Sequence, residues 1–240
     1  MKIAGLTKNY GEKRVLDGID LELFDGEILC VLGASGSGKT TLLNCVAGLT
    51  AYEGEIVGAP DRVAYVFQED RLLPALTVRQ NLLFAGGRVA LIDEMLAEVG
   101  LLEHADKRPS ALSGGEKRRV ALVRAFLSTS PLLLMDEPFT GLDTALKIRL
   151  IELFVRLWKK EKKTVIFVTH NLNEAVAVAE RAVVLKNGKI ALEMPFLKRE
   201  LPSFGFDGAE KETLLKAILD DGTQPQTETT SEASEGEGAV

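Results

Sequence analysis

Gly33-Ala34-Ser35-Gly36-Ser37-Gly38-Lys39-Thr40 fits G-x-x-x-x-G-K-[ST], a loop built to hold phosphate. The chemistry needs these residue types. Gly36 and Gly38 allow backbone angles and close approach that a side chain would block. Lys39 supplies a point charge to the β and γ phosphates, and Thr40 offers a hydroxyl to Mg²⁺. The flanks fit as well. Glu27–Leu32 is a short apolar run that reads as a buried strand. Thr41–Ala47 reads as a helix with Gly48 as its stop. A helix N-terminus has unpaired N–H groups and the positive end of a dipole, both suited to polyphosphate. Nucleotide is therefore expected at Gly33, Ala34, Ser35, Gly36, Ser37, Gly38, Lys39, Thr40 and Thr41.

A second set of groups complements this loop. In Pro131–Pro138 a run of apolar residues ends in Asp136 and Glu137, which describes a central strand with two acids at its tip. Asp136 would hold Mg²⁺ through water, and Glu137 would orient or deprotonate an attacking water. Adjacent acids on a strand alternate faces and can take separate roles. Gln68 ends the apolar run Arg62–Phe67, and strand ends are where α/β sheets place their ligands. It could contact metal or water, or simply end a strand. His170 closes Thr164–Thr169; it could hydrogen-bond a γ phosphate and water, or cap the helix expected over 173–181.

Ser113 and Glu116 in Leu112-Ser113-Gly114-Gly115-Glu116 make a capping box for the helix that follows. Gly114 and Gly115 serve helix stability poorly. They make sense if a phosphate approaches this helix start closely. One chain already carries one phosphate loop, so a second anion-binding helix start suggests a nucleotide shared between two copies.

The elements that must position these groups read as an α/β domain. Val15–Leu23 alternates apolar and polar, suiting a half-exposed antiparallel strand. Tyr10, in the turn Asn9-Tyr10-Gly11, could stack on a base or be a surface tyrosine. Residues 69–112 read as a mostly helical insertion between two strands of the nucleotide sheet. Ala182–Leu192 reads as a hairpin around Asn187-Gly188, and 208–219 as a short terminal helix. Residues 222–240, rich in Thr, Ser, Glu and Gly, should be a disordered acidic tail.

Bulk properties narrow the class. The 240 residues are 46% hydrophobic and 27% charged, which suits one globular α/β domain with additions. No window has the apolar run of a membrane span. The N-terminus turns polar too early for a signal peptide, so a cytoplasmic protein is expected. Cys30 and Cys45 sit among apolar residues and read as buried thiols. A net charge of −6 argues against nucleic acid as a partner. The basic clusters Lys117-Arg118-Arg119 and Lys159-Lys160 read as solvated helix faces.

With these residues in place, the chain over about 1–195 resembles the ATP-binding subunits of ABC transporters. Gly33–Thr40 matches Walker A and Leu132–Asp136 Walker B, with Glu137 as the catalytic glutamate after it. Gln68 falls at the Q-loop and Leu112–Glu116 at the LSGGE-type signature. Gly141-Leu142-Asp143 stands at the D-loop, His170 at the switch histidine, and Tyr10 at the aromatic that stacks on adenine. The resemblance implies a P-loop NTPase with a RecA-like parallel core, an antiparallel β subdomain and a helical subdomain at about 69–125, within a domain spanning 1–221. It implies ATP and Mg²⁺ as ligands, with Thr40, Gln68 and Asp136 about the metal. It further implies a head-to-tail homodimer, in which Ser113, Gly114, Gly115, Glu116 and Asp143 of one copy face the nucleotide of the other. Membrane-spanning permease subunits would dock at the Q-loop and helical subdomain, with an extracytoplasmic binding protein delivering substrate. The protein would then lie on the cytoplasmic face of the inner membrane.

Val66–Pro74 looks most like bacterial importers of the nitrate, sulfonate, taurine or thiamine-precursor type. The segment Gly48–Arg62 is shorter than usual for the family, and Gly141 stands where Ala or Ser is common. The alternative is a soluble ABC-type ATPase with a non-transport role. Such proteins usually carry a coiled coil, a zinc site or tandem modules, and this sequence has none of these.

Overall fold

The computed structural model describes residues 1–86, 89–196, 200–204 and 208–219. The acidic stretch 222–240 lies outside them. Strands β1 (Lys2–Tyr10) and β2 (Lys13–Glu22) pair antiparallel, and β3 (Ile28–Leu32) leads into helix α1 (Lys39–Val46). Strand β4 (Glu53–Val57) completes a three-stranded sheet in the order β2-β1-β4. After β5 (Ala64–Val66) come helices α2 (Val78–Phe84) and α3 (Val89–Glu98), two short 3-10 turns, and α4 (Gly114–Leu127). Strand β6 (Leu132–Asp136), helix α5 (Thr144–Glu161), strand β7 (Thr164–Thr169) and helix α6 (Leu172–Val178) follow. Strands β8 (Arg181–Lys186) and β9 (Lys189–Pro195) and helix α7 (Gly208–Leu219) end the described chain.

The main sheet runs β5-β6-β7-β3-β8-β9, parallel except for the β8–β9 hairpin. Asn187 and Gly188 turn that hairpin at φ 48° and 75°, the left-handed pair a tight two-residue turn requires. β3 and β6 are buried at every position, as a sheet covered on both faces demands. Successive residues on these strands feed opposite layers. Cys30 and Leu32 join Leu133, Met135 and Phe167 in a core shared with helices α2–α7. Leu29 and Val31 join Leu134, Ile166 and Val168 in a second core, closed by α1 and the small sheet.

Parallel register sets the site. Leu32 stands opposite Thr169, Asp136 opposite Val168, and Val66 opposite Met135. The next residues along each strand are Gly33, His170, Glu137 and, two on, Gln68. One sheet edge therefore presents every group that the sequence places at a strand tip.

Four features differ from or extend the sequence expectations. The small sheet takes a single strand from the short segment after Gly48. Helix α5, 18 residues long, is capped by Asp143 and buries Leu150, Ile151, Phe154 and Trp158; the sequence reading passed over it. Helix α6 stops at Val178 rather than Arg181. The Arg181 guanidinium is drawn into the sheet, where its Nε donates to Glu27 at 3.1 Å and another nitrogen meets Glu193. Arg118 is 4% exposed and lies inside the fold, whereas Lys159 and Lys160 are exposed as expected. Cys30 and Cys45 are both buried free thiols.

Candidate nucleotide site

The loop between β3 and α1 is shaped by its glycines. A Cβ on Gly33 would stand 2.4 Å from the Leu185 carbonyl and 2.5 Å from Ser37 Oγ. Gly38 holds φ 105° as the N-cap of α1, and a Cβ there would press on Leu16 and Val15. No side chain caps α1, and its first turn carries no acid. Its leading N–H groups thus remain available to an anion. Ser37 Oγ is buried without a hydrogen-bond partner. An uncapped helix start, a loop whose Gly33 and Gly38 leave no room for a Cβ, and an orphaned buried hydroxyl together fit a polyphosphate.

Lys39, 6% exposed, donates from Nζ to the carbonyls of Gly33 and Ala34, at 2.9 Å each. Burial lowers its pKa, and the carboxylates of Glu137 and Asp136 act the other way. Thr40 Oγ1 donates to Asp136 Oδ1 at 3.2 Å, so a hydroxyl and a carboxylate from two elements already meet. Burial raises the Asp136 pKa against the Thr40 hydrogen bond and the charges of Lys39 and Arg118. A buried carboxylate with raised pKa, beside a hydroxyl, is suited to a hard divalent cation that would compensate its charge.

Glu137 sits at φ 44°, a left-handed conformation costing a non-glycine residue about 1–2 kcal/mol. Its N–H donates to Val168 at 3.0 Å, which ties it to the neighbouring strand. Its Oε1 lies 3.1 Å from His170 Nδ1, and its Oε2 accepts from Thr140 Oγ1 at 3.1 Å. A carboxylate only accepts, so Nδ1 carries the proton in this pair. Burial pushes Glu137 up, but the His170 and Thr140 hydrogen bonds outweigh it, and its pKa lies below the ordinary value. The carboxylate is thus held ionised and aimed, as a group that orders or deprotonates water must be.

A cavity of about 550 Å³ joins these parts. Its walls include Ala34, Ser35, Gly36, Gly38, Lys39, Thr40 and Thr41 from the loop and helix, with Gln68, Glu137 and His170 opposite and Val15 at one side. Gln68, exposed, also borders a smaller cavity beside Thr40 and Asp136.

The remaining expected residues stand elsewhere. Tyr10 is 51% exposed at the end of β1, with Lys8 Nζ 4.8 Å from its ring centre, and does not line this cavity. Ser113 and Glu116 form the expected capping box: Ser113 N–H donates to Glu116 at 2.7 Å, and Glu116 N–H to Ser113 Oγ at 3.3 Å. Around Gly114 there is open space, while a Cβ on Gly115 would meet Leu146 of α5 at 2.7 Å. Asp143 caps α5 through Leu146 N–H at 3.0 Å and is exposed. Ser113–Glu116 and Asp143 do not border the cavity of their own chain.

Three residues near the site escaped the sequence reading. Val15 lines the cavity, Thr140 fixes Glu137, and Arg118 bonds the carbonyls of Gln68 and Glu137. Only Arg118 left a signal. It lies in helical phase with the buried Leu122 and Ala125, so its face points inward.

Comparison with known proteins agrees with this geometry. Residues 16–140 match the family described as ABC transporter. The "Aliphatic sulfonates import ATP-binding protein SsuB 1" of Pseudomonas syringae pv. tomato is 39% identical, across 93% of this chain and 90% of its own length. The protein of the same name from Paraburkholderia xenovorans is 40% identical, across 91% of this chain and 67% of its own. Among solved structures, the dimeric ATP-binding cassette MJ0796 in a post-hydrolysis state with ADP and Pi superposes with a TM-score of 0.72. It is 30% identical, over 82% of this chain and 99% of that one. With a phosphate loop, paired acids and a histidine gathered on neighbouring strand tips, the chain belongs to the ABC transporter family, as one of its ATP-binding, ATP-hydrolysing subunits.

Proposed function

We propose that this chain powers a bacterial importer for aliphatic sulfonates or related small oxyanions. The observation that carries the ATPase reading is the cavity that brings Lys39, Thr40, Glu137 and His170 together on adjoining strand tips. Thr40, Asp136 and Gln68 would hold Mg²⁺, which when bound neutralises charge on the β and γ phosphates. Glu137, the catalytic base, accepts the proton of the attacking water, and His170 keeps its carboxylate aimed. The water oxygen bonds to the γ phosphorus as the bond from that phosphorus to the bridging oxygen breaks, ADP and phosphate leave, and Lys39 would meet the charge that develops on the phosphates. Tyr10 stacks on the adenine.

Two copies share each nucleotide. The open helix start at Ser113, Gly114, Gly115 and Glu116 closes the far side, with Asp143 beside it. This supports a homodimer, as does the likeness to a dimeric cassette. The domain spans 1–221, with residues 69–125 as its helical part.

The import reading is supported by relatives named as import ATP-binding proteins that match most of this chain. No helix among the described residues is long and apolar enough to cross a membrane; in this reading separate permease subunits carry out translocation, fed by an extracytoplasmic binding protein. An apolar groove of about 390 Å³, lined by Leu49, Tyr65, Phe67, Leu73 and Phe84, suits a docking permease segment. Phe84 and Leu49 are 76% and 59% exposed there. The protein would act on the cytoplasmic face of the membrane, with no nucleic-acid partner. The test is uptake of a labelled alkanesulfonate by cells lacking the chain, complemented with the parent or with Phe84→Glu. The parent should restore uptake. Phe84→Glu should not, while its Mg-ATP hydrolysis in isolation stays intact. Full uptake without the chain would sink the substrate assignment.

A further inference from the structure

The run Lys117-Arg118-Arg119 looks like a solvated face, yet Arg118 is 4% exposed. From α4 its Nε donates to the Pro138 carbonyl at 2.5 Å and Nη2 to the Glu137 carbonyl at 2.8 Å. Its Nη1 reaches the carbonyls of Phe67 at 2.7 Å and Gln68 at 3.2 Å, and Asp70 Oδ1 at 3.3 Å. We propose that Arg118 is a positioning residue for hydrolysis: one guanidinium fixes the spacing between the loop that carries Gln68 and the turn that carries Glu137. The inference rests on the reading of Glu137 as the group that handles the attacking water.

The chemistry needs arginine. A planar fork with five N–H donors can bond two loops at once, whereas an ammonium is a point charge that turns to whichever partner is nearest. Here the cation faces mainly neutral carbonyls, and two of them belong to Gln68 and Glu137 themselves. The Glu137 backbone stands in a left-handed conformation before Pro138. Arg118 holds its carbonyl from one side and Thr140 N–H, at 3.2 Å, from the other. Arg118 also lies five residues after Ser113, about 7.5 Å along the helix axis. A displacement of α4 is therefore felt at both loops together.

The test uses the full chain with Arg118→Lys, Arg118→Met and Arg118→Ala, and thermal unfolding to establish the folded fraction. kcat for Mg-ATP hydrolysis should fall about tenfold or more in all three, with KM and the affinity for a non-hydrolysable ATP analogue little changed. Guanidinium ion at a few millimolar should partly restore Arg118→Ala and leave the parent unaffected. A purely structural arginine would lower the melting temperature and leave kcat per folded molecule intact, with no guanidinium rescue; that result overturns the proposal. If Arg118→Ala does not fold, an unchanged kcat in Arg118→Lys overturns it equally. Glu137→Gln, assayed alongside, separates the two ideas. Lost hydrolysis in Glu137→Gln with full hydrolysis in the Arg118 variants removes the inference alone. Full hydrolysis in Glu137→Gln removes the assignment of Glu137 itself.

Discussion

His170 Nδ1 lies 3.1 Å from Glu137 Oε1, and the two residues follow the tips of adjacent parallel strands, β7 and β6. The pairing therefore comes from sheet register rather than from a flexible loop. It leaves Glu137 ionised at a cavity that Lys39 and Thr40 also border. Glu137→Gln keeps the shape but removes the basic oxygen. Hydrolysis should fall about a hundredfold or more, while ATP binding persists. Bound nucleotide that cannot be cleaved should hold two copies together, so light scattering with Mg-ATP should report a dimer. Near-parental turnover would refute the role of Glu137.

Thr140 supplies the second hydrogen bond to Glu137, at 3.1 Å. Burial alone would raise the Glu137 pKa; the bonds from His170 and Thr140 bring it below the ordinary 4.5. Thr140→Val removes one of them with little change in volume. The pKa should then rise, and a smaller fraction of the carboxylate is ionised at any acidic pH. The acid limb of the kcat profile should move to higher pH, with turnover near neutrality little affected. A limb that stays in place, or moves down, would show that Glu137 ionisation does not limit the rate.

Much of this site was legible because its residues are bound to strand tips and helix starts. Apolar runs ending in Gln68, Glu137 and His170 announce parallel strands, and a parallel sheet places their ends at one edge. The capping box at Ser113–Glu116 was readable for the same local reason. What escaped depends on partners distant in the chain. Arg118 bonds carbonyls about 20 and 50 residues away, and backbone acceptors leave no mark on a sequence. Arg181 ends α6 early because Glu27, 154 positions earlier, draws it into the sheet. Val15 reaches the cavity only because the small sheet folds over the loop.

Glu174 is 2% exposed and binds Lys147 Nζ at 2.6 Å and Thr169 Oγ1 at 2.7 Å. The pair joins α5 to α6, next to the strand that ends before His170. Lys147→Met leaves the glutamate buried without its cation, which should cost about 3 kcal/mol or more. Lys147→Met combined with Glu174→Gln removes the unpaired charge and should recover part of that loss. Urea unfolding of the four proteins measures the coupling. Independent, additive losses would show that the ion pair contributes nothing of its own.

Ser113 is exposed and outside the cavity of its own chain, and in the proposed shared site it acts on the nucleotide of a second copy. Ser113→Arg places a long cation where the partner's phosphates would lie. Hydrolysis should be lost while the monomer binds ATP as before. Loss of the cap alone costs about 1 kcal/mol, and Ser113→Ala, as the control, should lose less of the rate than Ser113→Arg. Lys39→Ala should be inactive for the opposite reason, since its own loop fails while its Ser113 is intact. A two-fold dimer pairs each loop with the other copy's helix start. Mixed one to one, half of the dimers carry one copy of each variant, and each of these has one fully native site. The mixture should then regain about a quarter of the parental sites. No recovery on mixing, in dimers shown to exchange subunits, would mean that each chain completes its own site.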